Sequence, residues 1–547
     1  PWDDLPENQQ RLACRLKEAF AALLDHTDVQ IGRLVDGLRR LGRLDNTVLM
    51  VLADNGASQE GGPFGVMHEM KFFNGILETP YEAIDRIDDL GGPHSHTNYP
   101  WGWAQCGNSP FKWYKQNTHE GGVHVPLVVH WPERIGVGDA GTRRDQFTFV
   151  ADIAPTIYEL VGVTPPEVYR GVEQLPVTGH SFAAAISDAA TASTNELQYF
   201  EMGGSRALVA GDWKAVCKHT AGADYDTEPW ELYRLSDDWS ECNNLADAEP
   251  DRLAELIDLW WQEAERHGVL PLDDRMFELF GARFRDNSPH PADMRYVYRP
   301  PMSPMPGQAS AAIGGKSFDL TAKVTRAAGD EGVIYATGTE NSGVSIFIQN
   351  DRLVVDYNAF DEHTILESDV ELPAGDATLV VKLRRRGGMA GEMSVAVDGT
   401  PAGSAELALF MRMMSSVGPS VAYDHGSAVS QRYTAPVPFE GMRHEVEIQL
   451  LSRHIPLADE LFHLGRLHHV LGQIVGQEVM IALLGPVALR RLRDLVKAIG
   501  QLRVKRDGTV RRDGPRRSGP DDNVHTQQPR ARTGWLPPHR RRGRGNQ

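Results

Sequence analysis

Cysteine is scarce in this sequence. Its 547 residues include four, Cys14, Cys106, Cys217 and Cys242, and no two of them form a C-x-x-C pair. So few, so widely spaced, exclude a disulfide framework and predict a reduced, cytoplasmic setting. No apolar run approaches the roughly 20 residues that cross a bilayer, so a membrane partner is not expected. The sequence opens on Pro1 and not on Met, and a native start with any export signal is expected to precede it. Lys and Arg number 56 against 74 Asp and Glu, a formal charge of -18. Residues 503–547 hold 13 Lys and Arg against 4 Asp, so that stretch carries +9 and the remainder -27. A body of that sign repels nucleic acid and acidic membranes. If it handles an anion, it needs a few local cations and a metal ion.

What is present reads as several domains. The apolar fraction, 41%, and the charged fraction, 24%, suit globular protein, and the length allows two or three domains. Over residues 11–44, Leu12, Leu16, Phe20, Leu23, Leu34, Leu38 and Leu41 fall near a 3.6-residue period, predicting an amphipathic helix. Residues 47–53 are an apolar strand of the kind buried on both faces of a parallel sheet. That strand ends in Asp54-Asn55-Gly56, at the carboxyl end of a strand, where open α/β sheets bind ligands. A long irregular stretch, 57–118, is followed by a second strand at 125–130 and a helix at 150–163. Together these predict a partial α/β domain over 1–190.

Short antiparallel strands at 197–200, 206–209, 213–217 and 230–235, with a helix at 252–267, predict a small subdomain over 191–285. Residues 286–315, dense in Pro, Met and Gly, read as a linker. Residues 316–450 alternate apolar and polar positions, with Asn350-Asp351 and Asp398-Gly399 as hairpin turns. They predict a β-sandwich, jelly-roll-like. The basic stretch 451–547 keeps helical periodicity to about 499 and then becomes rich in Arg, Pro and Gly. It is expected to be largely disordered, and its composition also matches a frameshifted reading of GC-rich DNA.

Asp54 and Asn55 set two hard oxygens side by side on a rigid strand end, which suits Ca²⁺ or Mg²⁺. By itself Asp-Asn-Gly is far more often turn chemistry than a metal site. Its company alters that reading. The run from Asn108-Ser109-Pro110-Phe111 through Lys112 and Lys115 to Glu120-Gly121-Gly122 and Val125-Pro126 closely resembles the second signature block of the type I sulfatases, in the alkaline-phosphatase superfamily. Gln30 to Leu34, Asp45 to Thr47 and Asp54 to Gly56 resemble that family's helix–strand–DNG unit. Trp230-Glu231-Leu232-Tyr233 through Asn243-Asn244-Leu245 resembles its late element. Pro271 to Arg275 and the sandwich resemble large bacterial arylsulfatases with an appended β-domain. The resemblance covers residues 1–450.

The resemblance implies an α/β fold, here the C-terminal part of an alkaline-phosphatase-like sulfatase domain, with the small antiparallel subdomain and the sandwich after it. It implies metal-assisted hydrolysis of a small-molecule sulfate ester. Asp54 and Asn55 would be metal ligands, the metal being Ca²⁺, and Lys115 the catalytic, substrate-binding lysine. The family's nucleophile is a formylglycine made from C/S-x-P-x-R. Cys14 leads into Arg15-Leu16-Lys17-Glu18, no other cysteine fits, and Ser518-Gly519-Pro520-Asp521-Asp522 lacks the Arg. The early Asp pair of the metal site and the upstream His are missing as well. All belong to the family's N-terminal half, so the chain is expected to be a fragment that hydrolyses no sulfate ester.

Two other functions stay open on the residues. One is a phosphate or phosphonate ester hydrolase of the same superfamily, whose members more often carry His where Asn55 stands. The other is a non-catalytic carbohydrate-binding module built on the sandwich. His94, His96, His119 and His124 lack metal-ligand spacing and are expected to be structural or pocket-lining. Tyr99, Trp101 and Trp103 are expected to pack a long loop ahead of lining an aryl pocket. Met411, Met413 and Met414 are expected in the sandwich core. Oligomeric state has no signature in the sequence.

Overall fold

The computed structural model describes residues 2–275 apart from 137, and 293–451 apart from 301, 303, 304 and 416. The expectations for 451–547 therefore fall, from 452 onward, outside the described residues, as do those for 276–292. The described residues all lie in one structural unit, Pro1–Val487.

The amphipathic repeat forms one 34-residue helix, Glu7–Arg40 (α1). It ends four residues earlier than the periodicity predicts, because Gly42 takes φ 63°. Gly42 N–H then bonds Arg39 O and Arg43 N–H bonds Leu38 O, both at 3.0 Å, a Schellman closure that stops the helix whatever follows in the pattern. Leu12, Ala13 and Leu16 are buried, with Leu12 and Leu16 packed on Leu90, Tyr99 and Ala104. Further along, Leu23, Leu24, Leu34 and Leu41 stay 58–74% exposed.

The strand that carries Asp54 is Leu49–Leu52 (β1). Contrary to the expected parallel sheet, it pairs antiparallel with Leu127–His130 (β2), Leu49 opposite His130 and Leu52 opposite Leu127. One face, with Met50 and Val129, packs on Phe182, Ile186 and Leu160. On the other, Val51 and Val128 are exposed. A uniformly apolar run reports that both faces can be buried; it does not encode the direction of the neighbouring strand. The stretch between them, read as irregular, contains three short helices: Glu69–Phe73 (α2), Pro80–Asp85 (α3) and Trp101–Asn108 (α4). Then come Glu120–Val123 (α5) and Ile153–Val161 (α6), closed by Gly162 at φ 67°. Strands with helices packed against them make this an α/β region.

After a two-residue ribbon, Val168–Tyr169 (β3) with Val172–Glu173 (β4), and a short helix, Ala183–Ser187 (α7), the chain forms a four-stranded antiparallel meander. Its strands are Leu197–Met202 (β5), Ser205–Ala210 (β6), Trp213–Cys217 (β7) and Glu231–Arg234 (β8). Pro250–Arg266 (α8) lies on it: Leu256, Trp260 and Ala264, one turn apart, meet Leu208, Ala215 and Leu232.

Two larger sheets follow. Their strands are Arg295–Tyr298 (β9), Phe318–Arg326 (β10), Gly332–Thr339 (β11), Ser342–Gln349 (β12), Arg352–Ala359 (β13) and Glu362–Glu367 (β14). Next are Gly375–Arg385 (β15), Gly391–Val397 (β16), Thr400–Leu407 (β17), Ser420–Val421 (β18), Tyr423–Asp424 (β19), Val437–Pro438 (β20) and Met442–Leu450 (β21). One sheet runs β17-β16-β15-β10-β21-β9; the other runs β14-β13-β12-β11-β20-β19, with β18 on β11. Leu320 and Val381 of the first share a core with Val344, Ile346 and Val355 of the second. Asn350-Asp351 and Asp398-Gly399 turn their hairpins at positive φ, as that chemistry requires. Phe360-Asp361 does the same at 61° and 75°, a turn that its residue types do not announce. Within 286–315, β9 pairs with β21, and Tyr296, Tyr298, Ala311 and Ile313 enter the core, so composition alone understated its order.

Asn74, just past α2, ties the α/β region to the sandwich. Its Oδ1 accepts from Arg412 N–H at 2.6 Å and its Nδ2 donates to Met413 O at 2.8 Å. Met411 and Met414 are buried as expected, whereas Met413 uses its backbone here and leaves its side chain 38% exposed. No helix among the described residues is long and apolar enough to cross a membrane.

Candidate functional site

Three glycines, 56, 121 and 122, form the floor of the site. Gly56 N–H bonds Gly122 O at 3.0 Å. A Cβ on Gly56 would sit 1.8 Å from Gly121 O, one on Gly121 2.1 Å from Trp113 O, and one on Gly122 1.9 Å from Asn117 O. None of the three has positive φ, so they are needed for close approach of backbones, not for conformational freedom. DNG and EGG, distant in sequence, are thus two halves of one contact. Gly56→Ala is expected to cost about 1–3 kcal/mol by overpacking, read by thermal melting. Gly102→Ala, in α4 with open space around it, should instead stabilise slightly.

Asn108, the last residue of α4, joins the same parts through its side chain. Oδ1 accepts from Ala57 N–H at 3.0 Å, while Nδ2 donates to Gly121 O at 2.8 Å and Trp113 O at 3.1 Å. Lys115 N–H then donates to Ala57 O at 3.1 Å. Ala57 is three residues beyond Asp54, at most about 11 Å of chain. The backbone of Lys115 and the end of β1 are therefore neighbours. Trp113 and Gln116, on either side of Lys115, take φ 67° and 71°. Each costs about 1–2 kcal/mol for a side chain with a Cβ, a strain that concentrates at functional sites.

The side chains divide differently. Asp54 is exposed and makes no hydrogen bond or ion pair among the described residues. Asn55 is half-buried and spends its Nδ2 on Gly56 O at 2.9 Å, which leaves its Oδ1 for another partner. The Lys115 ammonium donates to Glu60 Oε2 at 2.9 Å. In kind, the oxygens of Asp54 and Asn55 fit a hard divalent cation; in number they fall short of the six to eight that calcium takes. No group of three or more His, Cys, Asp or Glu among the described residues is placed to hold a metal ion.

The histidines face carboxylates. His94 meets Asp361 at 3.1 Å, His96 meets Glu69 at 3.6 Å, His119 meets Glu231 at 3.2 Å and His124 meets Glu120 at 2.7 Å. Tyr99 is buried edge-on against Phe20, and Trp103 Nε1 donates to Ala13 O at 2.8 Å. These two rings pack the loop onto α1, and Trp101 is half-buried at the start of α4.

A buried ionic layer under α5 holds the EGG segment to the meander. Lys214, on β7 and fully buried, bridges Glu120 at 2.6 Å and Glu241 at 3.0 Å. Burial pushes the Glu120 carboxyl up, but the Lys214 charge and the His124 hydrogen bond outweigh it and hold the group down at about 2. Beside it, Lys112 Nζ reaches Glu231 at 3.0 Å and Tyr233 OH at 3.1 Å. The hydrogen bond from His119 leads in depressing Glu231 to about 2, against burial and with help from Tyr233 and Lys112. Sequence reasoning missed Glu60, Lys214 and Glu241. For Lys214 a signal exists: a lysine inside the apolar strand Trp213–Cys217, on a sheet that a helix covers.

Residues 3–163 match the family described as Sulfatase, and residues 110–263 match that described as N-sulphoglucosamine sulphohydrolase, C-terminal. Over residues 3–263 these matches support a type I sulfatase of the alkaline-phosphatase superfamily. It is 31% identical over 284 residues to an uncharacterized sulfatase of Schizosaccharomyces pombe, covering 51% of this chain and 49% of that one. An arylsulfatase of Klebsiella aerogenes is 30% identical over 186 residues, 34% of this chain and 37% of its own. Arylsulfatase G of Canis lupus familiaris is 25% identical over 275 residues, 49% and 42% of the two chains. The chain thus spans half or less of the length of these curated relatives.

Proposed function

We propose that this chain supplies part of the active site of a sulfuric ester hydrolase acting on small-molecule sulfate monoesters. Asp54 and Asn55 serve as oxygen ligands of a divalent cation, calcium, and Lys115 binds a sulfate oxygen and the bridging oxygen of the leaving group. The observation that carries this reading is the bond from Lys115 N–H to Ala57 O, with Asn108 bracing Ala57 on one side and Trp113, in the lysine's loop, on the other. It supports a site in which the DNG oxygens and the lysine serve one ligand.

The bridging oxygen of a sulfate ester carries little charge until the S–O bond breaks. An ammonium held there stabilises the transition state more than the ground state. A strained, multiply braced loop suits that role, since a pre-positioned cation need not reorganise during reaction. Bound calcium would add Lewis-acid stabilisation of the ester oxygens.

The sequence contains no C/S-x-P-x-R, so the formylglycine must come from outside these 547 residues. The purified chain is expected to turn over no 4-nitrophenyl sulfate. Joined to a formylglycine-bearing segment of a relative, it should hydrolyse that ester in preference to 4-nitrophenyl phosphate and lose activity to a calcium chelator. Turnover by the chain alone would refute the external nucleophile, and a preference for phosphate would refute the sulfate reading.

A further inference from the structure

We propose that Glu60 is the resting counter-ion of Lys115, so that an anionic ester reaches the ammonium by exchange with this carboxylate. The inference rests on the reading of Lys115 as the anion-binding cation, and it adds a residue that sets affinity at that site.

Segment 57–60 is fastened to 115–116 at three points. Ala57 O accepts from Lys115 N–H at 3.1 Å, Gln59 Nε2 donates to Gln116 Oε1 at 2.8 Å, and Lys115 Nζ donates to Glu60 Oε2 at 2.9 Å. The carboxylate is itself positioned by its own turn: Ser58 Oγ donates to the same Oε2 at 2.9 Å, and Glu60 N–H donates back to Ser58 Oγ at 3.2 Å. The charged fastening joins two side chains and can break by side-chain rotation, as can the neutral Gln59–Gln116 bond, whereas the backbone tie cannot. Both partners reach solvent, Lys115 at 29% and Glu60 at 36% exposure, so an incoming anion has access to the ammonium.

A carboxylate and a sulfate compete for the same three N–H donors. While Glu60 holds one of them and sets its charge against the ammonium, the concentration of anion needed to take its place is higher. Half-exposed pairs are weak, which makes the exchange readily reversible. The backbone tie to Ala57 keeps the lysine in place while its partner changes. Glu60 is thus a positioning and affinity-setting residue, not a catalytic one.

The test is acetylation of Lys115 by acetic anhydride in the full 547-residue chain, followed by peptide mass mapping at constant ionic strength, with Lys323 as reference and sodium sulfate as the probe. Glu60→Gln removes the charge. Glu60→Asp keeps the charge but shortens the reach by one methylene. Both are expected to label Lys115 about two- to five-fold faster without sulfate, and to lower the sulfate concentration for half-protection by a similar factor. Gln59→Ala, which removes a neutral fastening, should move neither quantity. Half-protection at the same concentration in wild type and Glu60→Gln would overturn the role of Glu60 and leave Lys115 standing. A Glu60→Asp that matches wild type would reduce the effect to net charge and also overturn it. Absence of sulfate protection in every chain would overturn the reading of Lys115 and this inference together.

Discussion

Lys214→Met is expected to lower the unfolding free energy by about 3–5 kcal/mol at neutral pH, the range for removing one partner from a buried ionic cluster. Lys214 has no solvent exposure and contacts Glu120 and Glu241, themselves 7% and 0% exposed. Without it two carboxylates share a buried layer and only His124, half-exposed, faces one of them. The same layer makes stability depend on acid. Glu120 titrates at about 2 in the folded chain against an ordinary 4.5. Its contribution is therefore complete above about pH 5 and disappears as pH falls from there toward 2. In Lys214→Met the sign reverses: protonating the orphaned carboxyls relieves them, and the gap to wild type narrows in acid. Urea unfolding at pH 7 and pH 4 checks both statements. A loss under about 1 kcal/mol at pH 7 would mean that water reaches the layer. Glu120→Gln/Lys214→Met/Glu241→Gln should recover much of the loss, since buried ion clusters stabilise little relative to neutral replacements.

Asn108→Ala should cost about 3 kcal/mol, roughly 1 kcal/mol for each of three hydrogen bonds. The loss is local in a way that can be measured. Ala57 N–H has Asn108 Oδ1 as its acceptor, so its hydrogen exchange should accelerate at least about tenfold, the equivalent of ~1.4 kcal/mol of local opening. Asn108→Asp separates the two ends of the amide. It keeps an acceptor for Ala57 and loses the donors to Trp113 O and Gly121 O, so protection at Ala57 should persist while the 113–121 loop loosens. Equal exchange at Ala57 in all three chains would contradict the bracing role that the candidate site relies on.

Particular residues tell what a linear reading can see. Asn350-Asp351 and Asp398-Gly399 were legible as turns because a two-residue connection demands φ above zero and these types adopt it cheaply. Phe360-Asp361 turns the same way but is held in place, with Asp361 N–H bonded to Asn358 Oδ1 and its carboxylate to Arg86 and His94. Nothing within the dipeptide reveals that. The pairing of Lys115 with Glu60 spans 55 residues and the seating of Asn74 on Met413 spans 339. No local pattern reaches across such separations.

Read alone, the sequence determined the likeness to sulfatases, the DNG unit at the end of an apolar strand, the lysine of the second block and the alternation of the sandwich. Each is a local property of residue type and period, governed by backbone sterics and by which face can be buried. The tertiary structure decided that β1 and β2 run antiparallel, that Gly56 lies against Gly121, that Lys214 sits between two carboxylates, and that Glu60 holds the Lys115 ammonium. Those outcomes depend on which distant groups packing brings within contact range, and contact energies act over a few ångströms of space, whatever the separation along the chain.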